Sequence, residues 1–233
     1  MAVRIATAAR PRIAGLYALT PDLADTELLV ARAAAAIAGG AAAIQFRNKL
    51  AAAGLRREQA MMLRELCAAR GATFIVNDDV DLARDVAADG VHLGRDDMAI
   101  AAARRRLGPD AIIGASCYDS LERAERAVAA GADYIAFGSF FASRVKPDAV
   151  RAHLSLLAAA KARWSVPVVA IGGITAANAA ALIAAGADAL AVITAVFDAP
   201  DVVAAARAFR DAFASRSADT HAGSRTESQR HRP

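Results

Sequence analysis

The chain has 233 residues, 56% of them hydrophobic and 22% charged, with 28 Lys and Arg against 24 Asp and Glu for a formal net charge of +4. A chain of this length can bury a large core and carries little excess charge, which excludes disorder throughout. Cations are scattered among acids, with Arg104, Arg105 and Arg106 the only run of three, so the composition argues against a nucleic-acid partner.

Residues 1–10 lack the sustained apolar run of a secretory signal and are expected to be loose. From there, short β-prone runs alternate with Ala-rich helical stretches. Strands are predicted at 13–19, 42–46, 73–76, 90–93, 111–115, 133–137, 166–171 and 189–193, and most lack polar alternation, as parallel strands covered on both faces do. Helices are predicted at about 25–38, 54–70, 79–87, 97–107, 119–130, 147–162, 175–185 and 200–214. Gly39, Gly71, Gly108, Gly131 and Gly186 each follow a helical stretch, where a left-handed cap costs least without a Cβ. The phrases GGAAAIQF, ADGVHLG, GADYIAFG and GADALAVI repeat a pattern of helix end, turn and strand. Residues 164–187 carry no charge, long enough to raise a membrane span. Pro167, Gly172, Gly173, Thr175 and Asn178 interrupt that stretch, so strand, loop and helix are expected and no membrane partner.

Eight such units predict an α/β fold, a single (β/α)8 TIM barrel over residues 11–214, with right-handed crossovers and a disordered C-terminal tail at 215–233. A doubly wound open sheet fits less well. No GxGxxG follows the first strand, which runs instead into Thr20, Pro21 and Asp22. Cys67 and Cys117 have no CxxC or zinc-type spacing; burial in a reducing, cytoplasmic protein is the expectation.

In a barrel, chemistry collects at the C-terminal strand ends. The second strand ends in Gln45, Phe46, Arg47, Asn48 and Lys49, and alternation sends Gln45, Arg47 and Lys49 one way, a set suited to a diphosphate ester. Asn77, Asp78 and Asp79 follow the third strand, and Gly94, Arg95, Asp96 and Asp97 the fourth. Mg2+ typically takes one or two carboxylates plus water and phosphate oxygens. Asp78 and Asp97 are therefore assigned to Mg2+, while Asp79 and Asp96 are expected to cap the next helices. Ser116 and Cys117 follow the fifth strand. Ser116 shows no His base, and His92, inside a strand, is expected to pack or bond to backbone rather than catalyse. The Gly172–Gly173 turn and residues 193–194 predict a barrel phosphate site. Two anion sites imply two phosphorylated small-molecule substrates, or one doubly phosphorylated.

These residues resemble the thiamine-phosphate synthase family, also called thiamine-phosphate pyrophosphorylase. The resemblance spans about residues 15–213 and is carried by IQFRNK (44–49), FIVNDDVDLA (74–83), ADGVHLGRDD (88–97), IIGASCYDS (112–120), GADYIAFGSFFASRVKPDA (131–149) and VVAIGGITAANAAALIAAGADALAVITAVF (168–197). It implies a transferase joining 4-amino-2-methyl-5-hydroxymethylpyrimidine diphosphate to a thiazole phosphate, giving thiamine phosphate and pyrophosphate with Mg2+ as cofactor. The mechanism it implies is a dissociative substitution: C–O cleavage yields a pyrimidinylmethyl cation that the thiazole nitrogen captures. By the same resemblance, Gln45, Arg47, Lys49 and Asn77 hold the diphosphate substrate and Asp78 and Asp97 hold the metal. Ser116 and Lys146 serve that substrate and its leaving group, and Ser143, Gly173, Ile193 and Thr194 serve the thiazole phosphate. Arg47, Lys49, Ser116 and Lys146 are the catalytic set.

One loop departs from the family's GPxxxTxTK, reading GSFFASRVK at 138–146. Ser139 stands at the proline and Val145 at the second threonine, which predicts thiazole binding weaker by the ~0.5–1.5 kcal/mol of one neutral hydrogen bond. A thiazole tautomerase, a related barrel, would need only the thiazole phosphate site. The diphosphate-side residues argue for the two-substrate enzyme. A sugar-phosphate isomerase would need an acid/base pair, and none is evident. The sequence leaves a homo-oligomer open.

Overall fold

A computed structural model describes residues 13–142 and 150–227, with side chains to residue 215. In chain order the elements are β1 (Gly15–Leu19), α1 (Thr26–Gly39), β2 (Ala41–Phe46), α2 (Ala53–Arg70), β3 (Thr73–Asn77), α3 (Val80–Asp85), β4 (Gly90–Leu93), α4 (Ile100–Leu107) and β5 (Ile112–Tyr118). There follow α5 (Leu121–Ala129), β6 (Tyr134–Phe137), α6 (Ser155–Arg163), β7 (Val168–Ile171), α7 (Ala176–Ala184), β8 (Ala189–Val192), α8 (Thr194–Phe197) and α9 (Val202–Glu227). The strands pair in parallel in chain order, and β1 pairs with β8 to close the predicted barrel.

Alternation along each strand divides the core in two. Residues pointing out, such as Ile44, Phe46, Phe74 and Val76, pack beneath the helices. Residues pointing in, including Tyr17, Leu19, Ala43, Ile75, Tyr134, Val169 and Ala191, fill the barrel. The interior admits two tyrosines because its neighbours are small. A Cβ at Gly114 would stand 1.9 Å from Tyr134 Cζ, and Tyr17 and Tyr134 meet edge to face at 6.0 Å.

The recurring Ala-Asp phrase has a physical cause. Asp89, Asp133 and Asp188 stand just before or at the start of β4, β6 and β8, and each carboxylate accepts from the first turn of an adjacent strand: Phe74 N at 2.7 Å, Ile113 N at 2.8 Å and Val168 N at 2.8 Å. Each is also paired with a cation, Arg64, Arg104 and Lys161 respectively. Among the described residues the device occurs at three places on the N-terminal end of the barrel, the end that serves stability rather than chemistry.

Several boundaries differ from the sequence reading. The left-handed cap of α1 is Gly40, at φ 112°, and not Gly39. Gly39 instead lets α9 approach, since a Cβ there would meet Val203 O at 2.5 Å. Helix α4 starts at Ile100 with Ala99 as its cap residue, so Asp96 caps nothing, whereas Asp79 does cap α3 by accepting from Leu82 N at 2.9 Å. Helix α6 starts at Ser155 rather than 147. The backbone just before it is engaged elsewhere: Ser139 N donates to Val150 O and Ala152 N donates to Ser139 O. Strand β5 continues to Tyr118, so Ser116 and Cys117 lie within the strand. A one-turn helix, α8, follows β8, as phosphate-binding barrels often have. Helical backbone in α9 continues past residue 215, and among the described side chains Phe213 is the last one packed against the core. Residues 1–10 lie outside the described residues. Among the described residues no helix is long and apolar enough to cross a membrane.

Candidate active site

A cavity of about 650 Å3 opens at the C-terminal ends of the strands. Inward alternation delivers Gln45, Asn77, His92 and Ser116 to one wall from β2, β3, β4 and β5. Ile171, Gly172, Gly173, Ile193 and Thr194 form another wall from the turns after β7 and β8. Of the sequence-predicted residues, Gln45, Arg47, Asn77, Ser116, Gly173, Ile193 and Thr194 thus line one continuous space. Lys49 and Asp78 instead line a smaller cleft of about 220 Å3 beside it, and Asn77 borders both. Ser143 and Lys146 lie outside the described residues.

The charged side is organised by a segment whose role the sequence did not reveal. Thr20, fully buried, donates to Arg47 O at 2.9 Å and accepts from Arg47 N at 2.8 Å, fastening the end of β1 to the end of β2. Asp22 then accepts from the Arg47 guanidinium at 2.6 Å and from Lys49 N at 2.5 Å. The Lys49 ammonium reaches Asp78 at 2.9 Å. Asn48 points away from the site and bonds Leu23 O and Gln59.

Asp78 sits in the left-handed region at φ 65°, its N–H donating to His92 O at 2.8 Å. Strained backbone of this kind gathers at functional sites, and Asp tolerates it better than most side chains. The Asp78 and Asp97 carboxyls lie close enough to perturb each other. Burial pushes both up. For Asp78 the Lys49 ammonium and the neighbouring Asp97 carboxyl outweigh burial and hold it below the ordinary carboxylate range. For Asp97, burial and the adjacent Asp78 charge outweigh its bond from Gly94 N, leaving it raised. Two carboxylates brought together beside a cation form a hard oxygen donor pair whose repulsion a divalent cation would relieve. Among the described residues no group of three or more His, Cys, Asp or Glu forms a metal cage, so the donor set fits an ion that takes most of its ligands from water and substrate oxygens.

The opposite wall is built from backbone. Gly172 and Gly173 have φ of 103° and 62°, and a Cβ on Gly173 would meet Ala142 O at 2.2 Å. Asn178 steadies the turn, donating to Gly173 O at 3.1 Å and accepting from Thr175 N at 2.9 Å. The short helix α8 starts at Thr194 on the same wall.

Ser116 does have a histidine partner: His92 Nε2 lies 2.8 Å from its Oγ. The sequence placed Ser116 after its strand and gave it no histidine base; the extension of β5 and the register of β4 against β5, which pairs His92 with Gly114 two residues before Ser116, bring the two together. Arg95 and Arg123 flank the Tyr118 ring at 5.1 and 5.6 Å and line the cavity rim, a cluster the sequence reading did not single out. Cys67 and Cys117 are free and buried, and burial pushes each thiol up to about 12. Neither is poised as a nucleophile.

Residues 16–196 match the family model described as Thiamine monophosphate synthase. A thiamine-phosphate synthase of Chromobacterium violaceum is 60% identical over 206 residues, covering 88% of this chain and 99% of that protein. Another, from Thiobacillus denitrificans, is 56% identical over 86% of this chain and 95% of its own length. Among solved structures, a thiamine phosphate pyrophosphorylase from Pyrococcus furiosus superposes with a TM-score of 0.77 at 40% identity, covering 86% of this chain and 96% of that one. With its barrel closed and its polar residues gathered at the strand ends, the chain belongs to the thiamine-phosphate synthase family.

Proposed function

We propose that this protein is a transferase that couples 4-amino-2-methyl-5-hydroxymethylpyrimidine diphosphate to a thiazole phosphate, producing thiamine phosphate and pyrophosphate in the cytoplasm. The observation that carries this reading is the continuity of the cavity. A wall of amide and hydroxyl groups, Gln45, Asn77 and Ser116, faces a backbone wall at Gly173 and Thr194 across one space. Two substrates can therefore lie side by side, as bond formation between them requires.

Gln45, Asn77 and Ser116 bind the pyrimidine substrate, and Arg47, Lys49 and Lys146 take its diphosphate. Asp22 holds Arg47 and the Lys49 backbone in place before substrate arrives. Asp78 and Asp97 would hold Mg2+, which when bound supplies Lewis-acid stabilisation of the departing diphosphate. Gly173, Ile193 and Thr194, with Ser143, bind the thiazole phosphate largely through N–H groups.

Cleavage of the C–O bond leaves a pyrimidinylmethyl cation stabilised by the electron-rich ring, and the thiazole nitrogen captures it. The side chains' work is electrostatic: cations at the diphosphate end meet negative charge as it builds, and the apolar wall of Val169, Ile171 and Ala191 keeps water from the cation. No strong general base is needed.

The test is thiamine phosphate formation by the purified full chain, supplied with each substrate singly and together, with and without Mg2+. Product is expected only when all three are present, and Lys146→Ala is expected to reduce it strongly. A folded, Mg2+-supplied protein that forms no thiamine phosphate from both substrates would overturn the assignment.

A further inference from the structure

The barrel interior carries a row of hydrogen bonds that the coupling scheme does not itself require. Gln45 Nε2 donates to Tyr17 Oη at 2.6 Å. Tyr17 Oη lies 2.9 Å from Tyr134 Oη, which lies 2.9 Å from His92 Nδ1, and His92 Nε2 lies 2.8 Å from Ser116 Oγ. The row crosses the barrel from β2 to β5. Both of its ends, Gln45 and Ser116, face the large cavity, while Tyr134 in the middle is wholly buried.

Proton counting gives the row a direction. Burial pushes both phenols well above their ordinary range, so each keeps its single proton and donates once. Tyr17 Oη accepts from Gln45, and its proton therefore goes to Tyr134 Oη. In a neutral His92 ring the Tyr134 proton then goes to Nδ1, which accepts, and the ring's own proton sits on Nε2 and is donated to Ser116 Oγ. Two groups remain at the ends: the Gln45 Oε1 acceptor and the Ser116 hydroxyl proton, both available to the cavity. Were the Gln45 amide turned over, every donor and acceptor in the row would reverse together.

We infer that this one-way row presets Gln45 Oε1 as an acceptor and the Ser116 hydroxyl as a donor for an aminopyrimidine ring, with Tyr17 and Tyr134 as positioning residues. An aminopyrimidine presents a matching amino donor and ring-nitrogen acceptors. The ligand rests on the coupling reaction proposed above, whereas the direction of the row does not. The small neighbours of Tyr134 fit this role. Gly114 leaves β5 without a side chain where the ring crosses the interior, and the ring also stacks on His92 at 5.5 Å.

The direction is read by 15N NMR of the histidine rings in the full chain, which has four histidines, with His92→Gln assigning the His92 signals. A neutral ring with the Nε2–H tautomer at His92 supports the inference, and an Nδ1–H tautomer or a doubly protonated ring overturns it, because Nδ1 then donates to Tyr134. The positioning role is read kinetically. Tyr134→Phe, which keeps the ring, should raise KM for the pyrimidine diphosphate about three- to tenfold and leave KM for the thiazole phosphate within about twofold. Tyr17→Phe should do the same and guards against a single variant that folds poorly. Unchanged pyrimidine KM in folded variants, or equal rises for both substrates, would refute the role. If the wild-type protein forms no thiamine phosphate, isothermal titration with the pyrimidine diphosphate replaces KM: tight binding weakened in the variants supports the role, and no wild-type binding refutes it.

Discussion

In the proposed scheme the two sides of the cavity mouth bind their anions in opposite ways. On the β2–β4 side, charge is held by charge: Asp22 on Arg47, Lys49 on Asp78, and Asp78 against Asp97. On the β7–β8 side there are glycines, a one-turn helix and an asparagine that bonds only backbone. The difference matches what each anion must do. A diphosphate that leaves acquires charge in the transition state, and only groups that respond to that change accelerate the step. A phosphate that is merely held needs a fixed cradle, which backbone N–H groups supply without adding charge close to a developing cation.

The largest expected effect breaks the charged side. Asp78→Asn keeps the side chain's shape but removes the charge facing Lys49, and kcat/KM should fall by about 10²–10³-fold, the scale of losing one electrostatic stabiliser of the transition state. Thiazole phosphate affinity, measured by isothermal titration, should stay within about twofold. A parallel loss of both would mean that the two sides are not independent. The next effect breaks the backbone side. Gly173→Val forces a branched residue into φ 62° and sets a Cβ against Ala142 O, a backbone strain of about 1–2 kcal/mol before any clash. The thiazole phosphate KM should rise at least about tenfold while the pyrimidine diphosphate KM moves less than about threefold, the mirror image of the first result.

How much of this contrast could be read from the sequence follows from the range of the interactions. The barrel was legible because strand runs, glycine caps and the Ala-Asp phrase are local signals repeated along the chain. The glycine turn, Asn77 and Ser116 were legible as polar residues at strand ends, and Gln45 because a period of two within its strand decides which way it faces. The cap assigned to Asp96 was misplaced. Asp96 and Asp97 are adjacent acids before a helical run, and what distinguishes them is that Asp97 turns back to Gly94 N while the helix waits until Ile100. The His92–Ser116 contact was illegible because its partners lie 24 residues apart and meet only through strand register. Asp22 was passed over because a carboxylate after a Thr-Pro pair reads as an ordinary turn, and its partners come from the neighbouring strand end.

That overlooked residue gives the third way to sharpen the contrast. Asp22→Ala removes a negative charge near a diphosphate, which by itself would tighten binding. It also releases the Arg47 guanidinium and the Lys49 N–H. If orientation dominates, KM for the pyrimidine diphosphate rises about three- to tenfold, and because the charge effect has the opposite sign, any rise isolates positioning. A fall in KM would show that Asp22 only opposes the substrate electrostatically, and steady-state kinetics at low and high salt would confirm which sign prevails.

The smallest effect tests whether the backbone side depends on its support. Asn178 touches no predicted substrate atom, yet it donates to Gly173 O and accepts from Thr175 N at the start of α7. Asn178→Ala removes a capping interaction worth about 1 kcal/mol, which should lower Tm by about 2–4 °C in a chain of this size. The loosened turn should raise the thiazole phosphate KM by about two- to threefold and leave kcat unchanged, because a fixed cradle contributes to holding the phosphate and not to the charge change of the chemical step. A fall in kcat at saturating substrates would mean that the glycine turn also takes part in the transition state, and the division between a responding side and a holding side would have to be given up.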